Sequence, residues 1–354
     1  MKKLIKHLDL IVTLTFAGAA AVALISPYID PAKNWLYAFF ALIFPWLYGL
    51  NFLMVIYWGI RLWRRRHNRV VAIIFPVIIL IWGWFSPARI YQFHFFAQAG
   101  KEQPTMRLMS YNMHSLVNMK KAKKEAEFKK FITEKNPDII FGQECSLSTA
   151  KYVADILHYH YARSKTKKSA GTAIISRFPI LDSGQKRFYK SGNSYSWADI
   201  EVHHRKIRFF SIHLQSNAIS TEANYLSKDP DLQKRKTWSR MRKILALYRM
   251  TAKQRTEQAK EVKSIAAQSP YPVFFCGDFN DPPLANSYHI LAENKLDSFT
   301  ERGKGIGTTY PGLTPNLRID YILAPNSFRI LSHRVLKVSY SDHYPVMADI
   351  AWSR

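Results

Sequence analysis

Six short segments of the chain set chemistry-bearing residues beside an apolar run. Ser110-Tyr111-Asn112 closes one run, Gln143-Glu144 follows Ile139-Ile140-Phe141, and His213 ends Arg208-Phe209-Phe210-Ser211-Ile212. Gly277-Asp278-Phe279-Asn280-Asp281 follows Val273-Phe274-Phe275-Cys276, Arg318-Ile319-Asp320-Tyr321 opens another run, and Ser341-Asp342-His343 precedes Tyr344-Pro345-Val346. Taken singly, Asn, Asp or His at a strand end usually makes a turn or caps a helix. Taken together, Glu144, Asp278, Asp320 and Asp342 put carboxylates against apolar sequence, where an unpaired charge costs on the order of several kcal/mol. A hard divalent cation compensates them most simply. Oxygen and amide donors without a Cys or His cluster at zinc spacing favour Mg2+, with Mn2+ next. The reaction such a set suits is phosphoester hydrolysis. There a metal neutralises nonbridging oxygens, a carboxylate orients or deprotonates water, and a donor holds the phosphoryl group.

These residues need strands to present them. Period-2 and short apolar runs predict strands at 106–111, 139–141, 171–176, 197–202, 207–214, 273–279, 319–323, 328–338 and 346–352. Helical spacing predicts helices at 120–135, with Phe128, Phe131 and Ile132 on one face, at 149–158 and at 237–267. Many strands with few long helices do not suit a regular βαβ winding, and a four-layer α/β sandwich of two helix-covered sheets is expected. Cys145 and Cys276 fall inside apolar runs and read as packing residues.

The order and wording of the motifs resemble the endonuclease/exonuclease/phosphatase (DNase I-like) superfamily over 104–354. Gly-Asp-Phe-Asn at 277–280 with Ser-Asp-His at 341–343 is the specific pair, and 303–310 resembles membrane-tethered members common in Bacteroidetes-type bacteria. The resemblance implies that Glu144 is the principal metal ligand, with Asn112 and Asp342 close to the ion. It implies that Asp278 positions or activates the attacking water and that Asn280 binds a phosphate oxygen. His343, oriented by Asp320, would contact the scissile phosphate, and His213 would stabilise the pentacoordinate state or protonate the leaving group. Arg318, Tyr321 and Arg255 are expected substrate contacts. The alternative for His213 and His343 is that of satisfied core histidines; His203 and His204 read as surface residues.

The chain divides near residue 100. Lys and Arg number 51 against 25 Asp and Glu, a net charge of +26, which points to anionic partners. Few of those charges precede residue 100. Charge-free runs at 10–29, 34–60 and 70–88 are each long enough to span a bilayer of roughly 30 Å, so 1–99 is expected to be an anchor with three transmembrane helices and 100–354 the catalytic domain. Pro45 and Pro76, inside the second and third runs, are tolerated in membrane helices. Lys2, Lys3 and Lys6 before the first run, and Arg61, Arg64, Arg65, Arg66 and Arg69 between the second and third, place both segments in the cytoplasm. The loop holding Asp30 and Lys33, and everything after Arg89, then lie outside, in the periplasm of a Gram-negative cell. A cleaved signal peptide is the competing reading of the first run; its length and the lack of a clean small-x-small cut favour retention. A channel would place ionisable groups inside the runs, and none is there.

The stretch 234–263 carries eleven Lys or Arg against Glu257 and Glu261, together with Trp238 and Tyr248. Such a helix suits a nucleic-acid backbone or anionic lipid heads, or is simply a solvated face. The expected function is a membrane-anchored, metal-dependent phosphoesterase, nuclease-like first, with a phospholipid or sphingomyelin phosphodiesterase or phosphoinositide phosphatase as the alternative. An inactive binding module is disfavoured because no member of the site set is missing. The expected partners are a phosphate-ester substrate, nucleic acid or lipid head group, and the lipid bilayer.

Overall fold

The structure, a computed structural model, describes residues 8–64, 70–86, 92–93, 103–163, 170–217, 231, 235–311 and 317–353. Lys2, Lys3, Lys6, Arg65, Arg66, Arg69, Arg89 and Lys234, the end of the expected third span at 87–88 and the boundary at 99–100 lie outside the described residues.

The N-terminal segment forms α1 (Leu8–Ile25), α2 (Trp35–Leu42), α3 (Phe44–Trp63) and α4 (Val71–Phe85). It corrects the expectation of three spans. Among the described residues only Leu8–Tyr28 is by itself long and apolar enough to cross a membrane; α2 and α3 form a second span only if their 64° bend is ignored. The physical cause is Pro45, which occupies the first turn of α3. There its missing N–H is no loss, so the residue starts a new helix instead of continuing α2. Pro76 does sit inside its helix, yet α4 has 15 residues, roughly 22 Å at 1.5 Å per residue. α1 and α3 run antiparallel: Asp9 pairs with Arg61, Trp58 Nε1 donates to Thr13 Oγ1 at 2.9 Å, and Asn51 Nδ2 donates to the Phe16 carbonyl at 3.2 Å.

Beyond it lie helices α5 (Glu125–Lys135), α6 (Leu147–Leu157), α7 (Arg235–Ala266) and α8 (Asn286–Ala292). The main strands are β1 (Met106–Asn112), β2 (Ile139–Cys145), β3 (His160–Arg163), β4 (Gly171–Ser176), β5 (Ile180–Arg187) and β6 (Ser194–Val202). They continue with β7 (Arg205–His213), β8 (Val273–Asp278), β9 (Lys295–Asp297), β10 (Asp320–Pro325), β11 (Phe328–Val335) and β12 (Val346–Trp352). One six-stranded sheet has the order β11-β12-β1-β2-β4-β3, the other β9-β10-β8-β7-β6-β5. Only β1/β2 and β7/β8 pair in parallel among these.

Side-chain alternation builds the layers. Leu108, Phe141 and Ala348 of the first sheet meet Phe209, Phe274 and Ile322 of the second in a shared core. The opposite face of the first sheet, with Met109, Ile140 and Ile175, packs on Phe128 and Phe131 of α5 and Val153 of α6. Phe210, Ile212 and Phe275 of the second sheet pack on Ala259 and Val262 of α7 and Leu291 of α8. The result is the expected α/β sandwich, helices outside two stacked sheets. β3, β5 and β9 were not legible as strands; β5 is an edge strand with no buried position, so no alternation marks it. The expected helix at 120–135 breaks before α5, where Lys123 takes a left-handed φ of 53°.

Toward one end of the sandwich the inward rows turn polar. Leu108 gives way to Ser110 and Asn112, Phe141 to Gln143, Phe209 to Ser211 and His213, and Cys276 to Asp278, all but His213 within a few per cent of complete burial. Gln143 Nε2 donates to Ser211 Oγ at 3.1 Å, and Ser211 Oγ donates to the Gly142 carbonyl at 3.1 Å, joining the sheets below that end. Gly277 allows the closest approach. Its φ is 143°, and a Cβ there would lie 2.0 Å from the Ile212 carbonyl oxygen.

Candidate active site

Strand register assembles the polar end. His213 is aligned with Asp278 across β7/β8, and Asp278 with Asp320 across β8/β10. In the other sheet Asn112 is aligned with Gln143. Glu144, next in line, would face the helices by alternation, but the ladder slips between Gly142 and Cys145 and Glu144 adopts a left-handed φ of 45°. Such an irregularity re-aims a side chain. Asn112 Nδ2 then bridges the sheets, 3.0 Å from Asp278 Oδ2 and 3.3 Å from Glu144 Oε1.

Two imidazoles close on the same carboxylate. His343, on the loop before β12, places Nδ1 3.0 Å from Asp320 Oδ2 and Nε2 3.7 Å from Asp278 Oδ2. His213 Nε2 is also 3.7 Å from Asp278 Oδ2 and 3.9 Å from Glu144 Oε1, and it has no hydrogen-bond partner. Asn280, with a left-handed φ of 53°, donates its backbone N–H to Asp278 Oδ1 at 2.8 Å and its Nδ2 to the Leu214 carbonyl at 3.0 Å.

The structure therefore gathers Asn112, Glu144, His213, Asp278, Asn280, Asp320 and His343. Asp342 stands at the rim: it is half-exposed, its Oδ1 3.3 Å from His114 Nδ1. His114 had no sequence signal beyond its place two residues after Asn112. Its backbone N–H donates to Asn112 Oδ1 at 3.2 Å, and His114, Ser115 and Leu116 all take left-handed φ values. Strain of that kind clusters at functional sites. Tyr310 was also missed; its ring packs 4.8 Å from that of His343.

The three expected substrate contacts are buried and engaged with other groups inside the protein. Arg318 pairs with Asp297 at 2.6 Å and lies over the Phe299 ring; the Tyr321 hydroxyl sits 2.8 Å from the carbonyls of Asp281 and Arg318. Arg255 has no exposed surface and pairs with Asp281 at 2.8 Å. They brace the loops beneath the site.

Burial and the neighbouring Asp320 push the Asp278 carboxyl up to about 7, against the pull of His343 and two hydrogen bonds. Burial opposes a charge on His343, but Asp320 and Asp278 outweigh it and lift the imidazole to about 10. Burial pushes His213 down, to about 4, with Glu144 opposing. One imidazole is thus charged and the other neutral at neutral pH.

The donor set fits a hard divalent cation. Asp278, Asp320 and His343 bring ligand atoms within 4.8 Å of one another, but a charged His343 has no lone pair to offer, which leaves the ion to the oxygens nearer the rim. Glu144 and Asp342 are partly exposed beside the buried Asn112, which suits an ion that keeps some of its waters.

Two stacked sheets with carboxylates and imidazoles gathered at one end define a class, the phosphoester hydrolases of DNase I-like fold. Residues 109–343 match the profile of the Endonuclease/Exonuclease/phosphatase family, and the chain belongs to that family, whose members are hydrolases of phosphoester bonds and generally use a divalent metal. Residues 2–90 match a domain of unknown function (DUF8431). A search of curated proteins gives no match. Among solved structures the chain is similar to an endonuclease/exonuclease/phosphatase family protein from Bacteroides thetaiotaomicron, at 18% identity and TM-score 0.52 over 72% of this chain and 100% of that one. It is similar to a conserved protein of unknown function from Enterococcus faecalis V583, at 14% identity and TM-score 0.51 over 70% and 100%. The human Nocturnin catalytic domain gives 18% identity and TM-score 0.50 over 71% and 96%. These likenesses establish the shared fold.

Proposed function

We propose that the protein is a membrane-anchored, divalent-metal-dependent phosphoesterase that cleaves phosphodiesters outside the cytosol. The observation that carries this reading is the convergence of His213 Nε2 and His343 Nε2 on one oxygen of Asp278. In this reading Asp278 takes the proton of the attacking water, its raised affinity matching neutral pH. His343, charged and held by Asp320, donates to a phosphoryl oxygen, and neutral His213 donates a hydrogen bond toward the leaving oxygen. Asn280 holds a second phosphoryl oxygen. Glu144, Asn112 and Asp342 would hold Mg2+ or Mn2+, which neutralises charge on the phosphoryl group when bound.

The anchor reading rests on the packing of the N-terminal segment. Asp9 and Arg61 bring the start of α1 and the end of α3 together. The opposite end meets the sandwich: Asn286 Nδ2 donates to the Pro27 carbonyl at 2.7 Å, Lys260 pairs with Asp30 at 2.7 Å, and the Tyr248 hydroxyl donates to the Ala38 carbonyl at 2.9 Å. In this reading Leu8–Tyr28 is the span that tethers the sandwich to the inner membrane, with the sandwich at its outer, periplasmic end. The substrate reading is a nucleic-acid phosphodiester, supported by exposed Arg235, Lys236, Arg242 and Arg249 along α7. A lipid phosphodiester is the second reading, favoured by the seating of α7 against α2.

The test is hydrolysis by the full chain in detergent micelles with Mg2+, offered DNA, RNA, sphingomyelin, phosphoinositides and bis(p-nitrophenyl) phosphate. At least one is cleaved, and Asp278→Asn lowers the rate at least about 100-fold. Equal rates for variant and parent overturn the mechanism.

A further inference from the structure

We infer that Arg255 is a positioning residue that holds the Asn280 loop in its working shape through Asn217, without touching substrate; the inference rests on the proposed phosphoesterase reading. Arg255 lies in the middle of α7, fully buried. Its Nη1 donates to Asn217 Oδ1 at 2.6 Å and to the Gln215 carbonyl at 3.2 Å, and its Nη2 lies 2.8 Å from Asp281 Oδ1. Gln215 and Asn217 follow His213 closely along the chain, and Asp281 follows Asp278 and Asn280. One guanidinium therefore ties together the two loops that carry the groups converging in the site.

The connection continues to Asn280 itself. Asn217 Nδ2 donates to the Asn280 carbonyl at 3.3 Å, and Thr251 Oγ1, one turn before Arg255 on the same helix, donates to Asn217 Oδ1 at 3.2 Å. That hold fixes the backbone of Asn280, whose left-handed φ, open to asparagine among residues with a side chain, lets its N–H reach Asp278 Oδ1.

Packing alone does not account for an arginine here. A buried guanidinium is costly, and an apolar residue of similar volume fills space at least as well. What the arginine adds is a planar fork, one nitrogen of which hydrogen-bonds Gln215 and Asn217 while the other faces the Asp281 carboxylate on the second loop, a geometry lysine cannot reproduce. Asp281 balances the charge, and Tyr248, whose ring centre is 5.5 Å from the guanidinium carbon, covers it.

The experiment uses the full chain in micelles with Mg2+ and bis(p-nitrophenyl) phosphate. Asn217→Ala, Asn280→Ala and the double variant form a cycle, beside Arg255→Lys, which keeps charge and most of the volume. Asn217→Ala lowers kcat at least about ten-fold with KM within about three-fold, and the double variant falls no further than Asn280→Ala alone. Arg255→Lys melts within a few degrees of the parent but shows the same kcat loss. Losses that add fully, or that appear in KM, overturn the inference. Hydrogen exchange keeps the two proposals separable: in Arg255→Lys, peptides over 279–285 exchange at least about ten-fold faster while those over 346–352 do not change. If the parent cleaves nothing, the functional reading fails and the exchange result alone decides the positioning role; unchanged exchange over 279–285 overturns it.

Discussion

Asp320 stands directly across the antiparallel β8/β10 ladder from Asp278, so two buried carboxylates are nearest cross-strand neighbours. Like charges in that relation destabilise a sheet. The pair persists because each acid has its own compensation: Asp320 accepts from His343, and Asp278 accepts from Asn112 and from the Asn280 backbone. The repulsion also helps to raise the proton affinity of Asp278.

Asp320→Asn should move the whole pH–rate profile to lower pH. Loss of the Asp320 charge lowers Asp278 from about 7, shifting the acidic limb downward. It also lowers His343 from about 10, shifting the alkaline limb the same way. A kcat/KM profile from pH 5 to 10 checks this; limbs that stay in place or part in opposite directions contradict the assignment.

Gly277→Ala should unfold the β7/β8 junction rather than merely slow the chemistry. Its Cβ would meet the Ile212 carbonyl oxygen at 2.0 Å from a φ of 143°. A destabilisation of about 3 kcal/mol or more is expected, read as a large drop in urea midpoint. A variant within about 2 °C of the parent Tm shows that the strands separate more easily than the geometry indicates.

Chelation with EDTA should abolish hydrolysis and added Mg2+ restore it. Glu144→Gln should raise the Mg2+ concentration for half-maximal rate about 10- to 100-fold, with little effect on stability because Glu144 is partly exposed. A metal titration superimposable on that of the parent removes Glu144 from the ion site.

Acid should destabilise the sandwich through His333, which is not among the residues gathered in the site. Burial pushes this imidazole from 6.5 down to about 3, with Asp297 opposing and Arg318 and Arg334 assisting. Between those values the unfolded chain binds the proton and the folded chain does not, so stability falls as pH drops below about 6.5, by roughly 1.4 kcal/mol per unit at most. Its Nδ1 lies 2.9 Å from Ser298 Oγ, the position that the side-chain amide of His333→Asn occupies. Urea titrations at pH 7, 6 and 5 should show a shallower decline for His333→Asn than for the parent; parallel declines exclude His333.

Much of the site was legible because chemistry and periodicity coincide along single strands. In 108–112, 209–213 and 274–278 every second residue faces the other sheet, and each row ends in Asn, His or Asp, so the alternation that names the core also names the polar groups at its end. The loops were less legible. His114 and Tyr310 lie in irregular backbone with no period, and the inward turn of Arg255 is not legible because a basic helix gives no sign of which cation faces the core.

What the sequence determined by itself is what depends on neighbours along the chain: the strand rows, the amphipathic faces of α5 and α7, the apolar N-terminal runs, and the Gly-Asp-Phe-Asn and Ser-Asp-His segments. Only tertiary structure decided what depends on partners far apart in sequence. It set Asp320 opposite Asp278, turned Glu144 into the cleft at a slip in the ladder and sealed Arg255 beneath two loops. Side-chain period is a local property of the backbone, whereas register, burial and compensation of charge belong to the packed whole.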